Sequence, residues 1–264
     1  MSRFEVFLDD HYNPVTSPQG PLGQVWKARM DDQTVVALQT AYFDVQKARL
    51  FSREMTGLLG LDRHRCVLQL YGVVYTGWDT LLVLEYAPGP SLMDAMQSFD
   101  KSQQLSWIGQ SGQSIALDMA SALCHLHKCN AVLSELNPIL TEDLTHAKVV
   151  GFNLEHIGRT PPFRKRSASP GHIPRHCKDW IAPEVYSNQK ISMKADVFSF
   201  GAILFEMVVQ EYVDMHAQGI KPKVPQQCSQ EVFDLIEACL NAHPEARPTS
   251  EDVFRVLSSL VPVA

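Results

Sequence analysis

The sequence predicts an α+β fold with a strand-rich first third and a helix-rich remainder. Three observations carry this expectation. The 264 residues, 45% of them apolar, suffice for one large domain or for two lobes sharing a hinge. Before residue 87 the apolar runs are short and turn-bounded, as in Thr34–Gln39 and Thr80–Tyr86, which suits strands. Beyond the turn signal Ala87-Pro88-Gly89-Pro90, a long apolar face through Ile115, Met119, Ala122, Leu123 and Leu126 keeps helical spacing.

Composition excludes several function classes. A net charge of −6 provides no basic field for nucleic acid or an anionic membrane. The start, Ser2-Arg3-Phe4-Glu5 leading into Asp9-Asp10, does not read as a signal peptide, and no apolar run reaches membrane-spanning length, so a cytoplasmic protein is expected. The six cysteines, at 66, 124, 129, 177, 228 and 239, form no framework and fit reduced thiols. Cys124-His125-x-His127-x-Cys129 has metal-type residues, but a helix distributes them around its cylinder, so no metal is expected there.

The most informative stretch is Trp180–Met207. It contains Ala182-Pro183-Glu184 and, at a set distance, Asp196-Val197-Phe198-Ser199-Phe200-Gly201, with Arg247-Pro248 near the C-terminus. In this order the pieces resemble the protein kinase family: the Ala-Pro-Glu close of the activation segment, the Asp-Val-Trp-Ser-Phe-Gly opening of the F helix, and the arginine that partners the Ala-Pro-Glu carboxylate. The flavour is that of the tyrosine-kinase-like group. The resemblance runs from about Val15 to Leu260 and implies a bilobal fold. A small β-rich N-lobe with a C helix is expected over about 1–86, a hinge over about 87–91, and a larger helical C-lobe over about 92–264.

The remaining elements follow in order. Gly20-Pro21-Leu22-Gly23, between Val15 and Val25-Trp26-Lys27, reads as strand, turn, strand and resembles the Gly-rich loop. The first glycine of that pattern falls on Pro18, which lacks an N–H and stiffens the loop. Thr34–Gln39 lands on the Val-Ala-Ile-Lys strand, with Gln39 in place of the phosphate-binding lysine. Glu54, in a helical pattern through Leu50, Met55 and Leu58, takes the place of the C-helix glutamate. His64–Val73 leads into the next two strands, and Thr80–Tyr86 ends at the hinge with Leu84 as gatekeeper. The helix ending in Leu126-His127 is the family's E helix.

The chemical motifs depart from the family. Leu133-Ser134-Glu135 stands for His-Arg-Asp and Gly151-Phe152-Asn153 for Asp-Phe-Gly. Sixteen residues separate Glu135 from Gly151, about two fewer than usual, so Asn137 matches the metal-binding asparagine only if the gap falls just before it. Phosphoryl transfer rests on positioning and on electrostatic stabilisation by a lysine, Mg²⁺ and a hydroxyl-orienting base. Gln39, Gly151 and Glu135 degrade all three providers. At about 3 kcal/mol per loss the deficit approaches what many enzymes supply. The resemblance therefore implies a pseudokinase that scaffolds or signals by conformation. The alternative is a weak or atypical kinase transferring phosphate from ATP, with Lys27 relocated into the lysine's role; a solvated surface lysine is the plainer expectation for Lys27.

The apolar framework, by contrast, matches. Leu58, Leu70, Phe152 and Leu133 would stack as the regulatory spine, anchored by Asp196, and Glu184 would pair with Arg247. Val25 and Ala37 could roof an adenine beside Leu84, Glu85 and Ala87, a vestigial pocket for ATP held weakly and without Mg²⁺; no cofactor is required and no metal is expected. Partners should be other signalling proteins, active kinases among them, with no nucleic acid and no membrane insertion. Ser167 and Ser169, each three residues after an arginine in Arg164-Lys165-Arg166-Ser167-Ala168-Ser169-Pro170, are candidate phosphosites in the activation segment.

Overall fold

The computed structural model describes residues 4–7, 16–20, 23–30, 33–41, 59–75, 80–96, 110–133, 136–151, 180–186, 191–209 and 228–260. An antiparallel sheet occupies the N-terminal part. It comprises β1 (Phe4–Val6), β2 (Thr16–Gly20), β3 (Gly23–Met30), β4 (Val35–Ala41), β6 (Leu70–Tyr75) and β7 (Thr80–Glu85), in the order β1-β3-β4-β7-β6 with β2 on β3. Strand alternation assigns its two faces. Val36 and Leu38 pack with Ala28 and Val83 on one side, whereas Ala37 packs with Leu68, Leu70, Leu82 and Leu84 on the other. The second face borders the cleft.

The two-residue β5 (Val67–Leu68) leaves this sheet and pairs in parallel with β9 (Ala147–Val150), which forms a hairpin with β8 (Pro138–Leu140). Both parts of the chain thus share a small second sheet. The hinge stretch is bound to it, because Pro90 accepts the Leu140 N–H at 2.9 Å and Ser91 bridges Ile139. A β-carbon at buried Gly89 would collide with the Leu140 carbonyl, so glycine is what lets these backbones approach.

The rest is helical: α1 (Leu92–Met96), α2 (Gln110–Lys128), α3 (Pro183–Tyr186), α4 (Met193–Val209), α5 (Gln230–Cys239) and α6 (Ser250–Leu260). Every residue of α4 from Ala195 to Val208 is buried, the signature of a helix at the centre of a core. Ser192 caps it by accepting the Lys194 N–H, and Thr249 with Asp252 forms a reciprocal capping box on α6. The apolar faces of α2 and α5 pack on α4, and α6 packs in turn on α2 and α5. Sheet-rich and helical parts joined through the hinge make the bilobal α+β architecture.

Candidate functional site

The cleft face of the sheet is built from paired positions. On β3 and β4, Val25 lies opposite Gln39 and Lys27 opposite Ala37; on β4 and β7, Ala37 lies opposite Leu84 and Gln39 opposite Leu82. Val25, Tyr86, Ala87, Ile139 and Val150 all pack against the cluster containing Ala37, Leu70 and Leu84. The residues read as a nucleotide pocket, Val25, Ala37, Leu84 and Ala87, therefore share one apolar neighbourhood. Gln39 sits at its inner end, only 5% exposed, and its amide brings no charge.

Lys27 is half-buried, where the sequence predicts a solvated surface lysine. Its partner is Ala37, two pairs nearer the hinge than Gln39, a displacement of roughly 6.5 Å along the strand. The ammonium lies 4.7 Å from the Tyr86 ring centroid and 5.3 Å from that of Phe7, an arrangement that holds it at the hinge by cation–π attraction.

Glu85 does more than continue the hinge strand. Its carboxylate takes Lys148 Nζ of β9 at 2.6 Å and the Gln69 N–H at 3.3 Å, so the last residue of β7 is tied to the strand ending at Gly151. No motif signals this contact, which joins residues far apart in sequence.

At the end of β9, Gly151 is buried. A β-carbon there would lie 3.1 Å from Val67 Cγ1 and 3.3 Å from Leu126 Cδ2, tighter than ordinary packing. A side chain at this position would require Val67 and Leu126 to give way by a few tenths of an ångström. Leu133, fully buried, has its N–H between both carboxylate oxygens of Asp196, at 3.1 and 3.0 Å. The same carboxylate accepts from His127 Nε2 at 3.0 Å, and His127 Nδ1 meets the Ser250 hydroxyl at 2.9 Å. Asp196 lies in the first turn of α4, where the helix dipole favours a carboxylate. The backbone at Leu133 is thereby pinned to α4.

Glu184 and Arg247 are both buried and joined through two N–H···O contacts. Arg247 also donates to the carbonyls of Asn241 and Lys194 and lies over Phe198, so four of its five N–H groups are engaged. Leu70 sits opposite Leu84 at the sheet edge of the cleft. Glu54, Leu58, Glu135, Phe152, Ser167 and Ser169 lie outside the described residues.

A family-type metal does not fit the described residues. Gly151 supplies no ligand, and among the described residues no group of three His, Cys, Asp or Glu side chains could hold a metal ion. His125 and His127 turn to different partners, Asp62 and Asp196, as expected of a helix that spreads them around its axis. Nor is any helix among those residues long and apolar enough to cross a membrane.

Comparison with known proteins agrees with the fold. The chain is 28% identical over 213 residues to "Probable serine/threonine-protein kinase drkC" of Dictyostelium discoideum, covering 75% of this chain and 27% of that protein. It is 26% identical over 245 residues to "Tyrosine-protein kinase FRK" of Homo sapiens, covering 88% of this chain and 47% of that one. The chain thus spans less than half the length of either relative. The family described as protein tyrosine and serine/threonine kinase matches residues 18–257, nearly the whole chain, so this chain belongs to the protein kinase family.

Proposed function

We propose that this domain is a pseudokinase, which acts in the cytoplasm as a signalling scaffold or allosteric interaction module and not by transferring phosphate. The observation that carries this reading is Gly151: the place of the principal metal carboxylate is a buried glycine crowded by Val67 and Leu126. The loss is supported by packing as well as by residue identity. Gln39 adds an uncharged group where transition-state charge needs a cation, and Lys27 is engaged with two rings nearer the hinge.

Much of the framework is retained. Asp196 on the Leu133 amide, Glu184 on Arg247 and Lys148 on Glu85 hold the catalytic-loop start, the activation-segment end and the hinge to rigid elements. Such a body can present a defined surface to other signalling proteins, active kinases included, without chemistry of its own. Its cleft is suited to an adenine held weakly and without Mg²⁺.

A weak or atypical kinase is the second reading, and the relatives' names as kinases favour it. Cells lacking the protein separate the two. Complementation with the double variant Gln39→Ala, Lys27→Ala should restore signalling fully if the domain acts by conformation. Loss of rescue at normal expression supports the kinase reading.

A further inference from the structure

The segment before β5, residues 61–66, is docked on α2 by an unusual contact. The His64 and His125 rings stack with centroids 4.7 Å apart and planes 15° from parallel. Around them the hydrogen bonds define which nitrogens carry protons. The Cys66 backbone N–H can only donate, and it points at His64 Nδ1 at 3.2 Å, so that nitrogen must be unprotonated. The Asp62 carbonyl can only accept, and it lies 3.0 Å from His125 Nε2, which must carry a hydrogen. His64 Nε2 faces the Ser121 hydroxyl at 3.4 Å. The observed geometry therefore requires a neutral His64.

The surroundings oppose its protonation. Charged or titratable groups acting on it are His125 and Asp118 of α2, Arg65 of its own segment and Lys148 of β9. Asp118, the carboxylate in that set, is already shared by Arg65 Nη2, Cys66 Sγ, His146 Nδ1 and the Ala147 N–H. A proton on His64 Nδ1 would abolish the Cys66 bond and set a cation against the His125 ring.

We propose that the stacked His64–His125 pair is a proton-operated latch, which holds segment 61–66 on α2 while His64 is neutral and releases it when His64 is protonated. Burial first, then His125 and Arg65, keep His64 below its ordinary value of 6.5. The sign follows from that direction: the docked state has its full stability above pH 6.5 and loses it as pH falls through the depressed value. Cys66 Sγ stays bonded to Asp118, so residues 61–65 are displaced and Cys66 loses only the acceptor of its backbone N–H. Because the Cys66 carbonyl accepts the Val149 N–H at 2.8 Å, the latch abuts the β5–β9 ladder that ends at Gly151. The proposal does not depend on whether the domain transfers phosphate.

Amide hydrogen exchange at pH 7.5 and 5.5, corrected for the intrinsic pH dependence of exchange, tests the latch. Protection across 61–66 should fall severalfold on acidification, with about tenfold as the ceiling set by one histidine of ordinary value 6.5, while the middle of α2 is unaffected. His64→Phe keeps an aromatic ring on His125 but cannot titrate, and its protection over 61–65 should not change with pH. An equal fall in His64→Phe, or none in the parent, overturns the latch. Should that variant fail to fold, an NMR titration of parent His64 decides the matter. A midpoint below 6.5 shared by the His64 ring and the Cys66 amide supports it, and independent titration overturns it.

Discussion

Arg247 grips Glu184 with both arms of its guanidinium, Nη1 to Oε1 at 2.6 Å and Nη2 to Oε2 at 2.9 Å, with the two residues 2% and 4% exposed. A pair sealed from solvent is costly to break, because the surviving charge is left buried without its partner. Glu184→Ala is expected to destabilise the domain by about 3–5 kcal/mol. Urea unfolding reads this as a lower midpoint at unchanged slope. A variant unfolding with the parent would mean that the pair contributes nothing.

Restoring the family residue at the end of β9 should harm the protein. Gly151→Asp places a β-carbon within 3.1 Å of Val67 and 3.3 Å of Leu126, and overpacking of this kind costs about 1–3 kcal/mol. A lowered melting temperature is expected, with no Mg²⁺-dependent stabilisation in return. Melting at or above the parent temperature would show that the pocket yields to a carboxylate.

Nucleotide binding should be weak and indifferent to metal. Val25, Ala37 and Leu84 offer an apolar surface to adenine, while Gln39 and Gly151 offer the phosphates neither cation nor metal carboxylate. ATP at a hundred times its dissociation constant stabilises a binding protein by about 2.7 kcal/mol. A weakly held nucleotide stays far short of that ratio, so thermal shifts with ATP should be small and the same with Mg²⁺ or EDTA. A large shift that vanishes on chelation would contradict this account of the cleft.

Regulation is expected to arrive from outside at Ser167 and Ser169. Phosphate on either serine would bring nearly two negative charges beside Arg164, Lys165 and Arg166 and alter the local docking surface. Mass spectrometry of protein from cells should find modification at these serines, and Ser167→Ala with Ser169→Ala should change partner recovery. Unmodified serines with unchanged recovery would dismiss this segment as the switch.

Much of the fold was legible because its signals are local or carried by motifs. Alternation along Val35–Gln39 separates the two faces of β4, and the apolar run after Asp196 announces a buried helix. Arg247 and Glu184 are far apart in sequence, yet each stands in a motif that names its partner. Lys148 and Glu85 have no such marker, and neither does Asp118, which reads as a polar helix residue but is buried where residues 65–66 and 146–147 converge. The half-burial of Lys27 has no sequence signal either, because β1, only three residues long, shows no periodicity and yet leads into Phe7, the ring beneath the ammonium. Contacts made by converging loops and very short strands depend on the folded whole.

Phosphate transfer itself tests the central claim most directly. The purified domain is incubated with γ-labelled ATP, Mg²⁺ or Mn²⁺ and a generic protein substrate, beside Lys27→Ala as control. The account predicts that label in substrate and in the domain stays at the level of the control, since Gly151 supplies no metal carboxylate and Gln39 no charge. Metal-dependent incorporation by the parent, abolished in Lys27→Ala, would contradict it and make this a kinase with a relocated lysine.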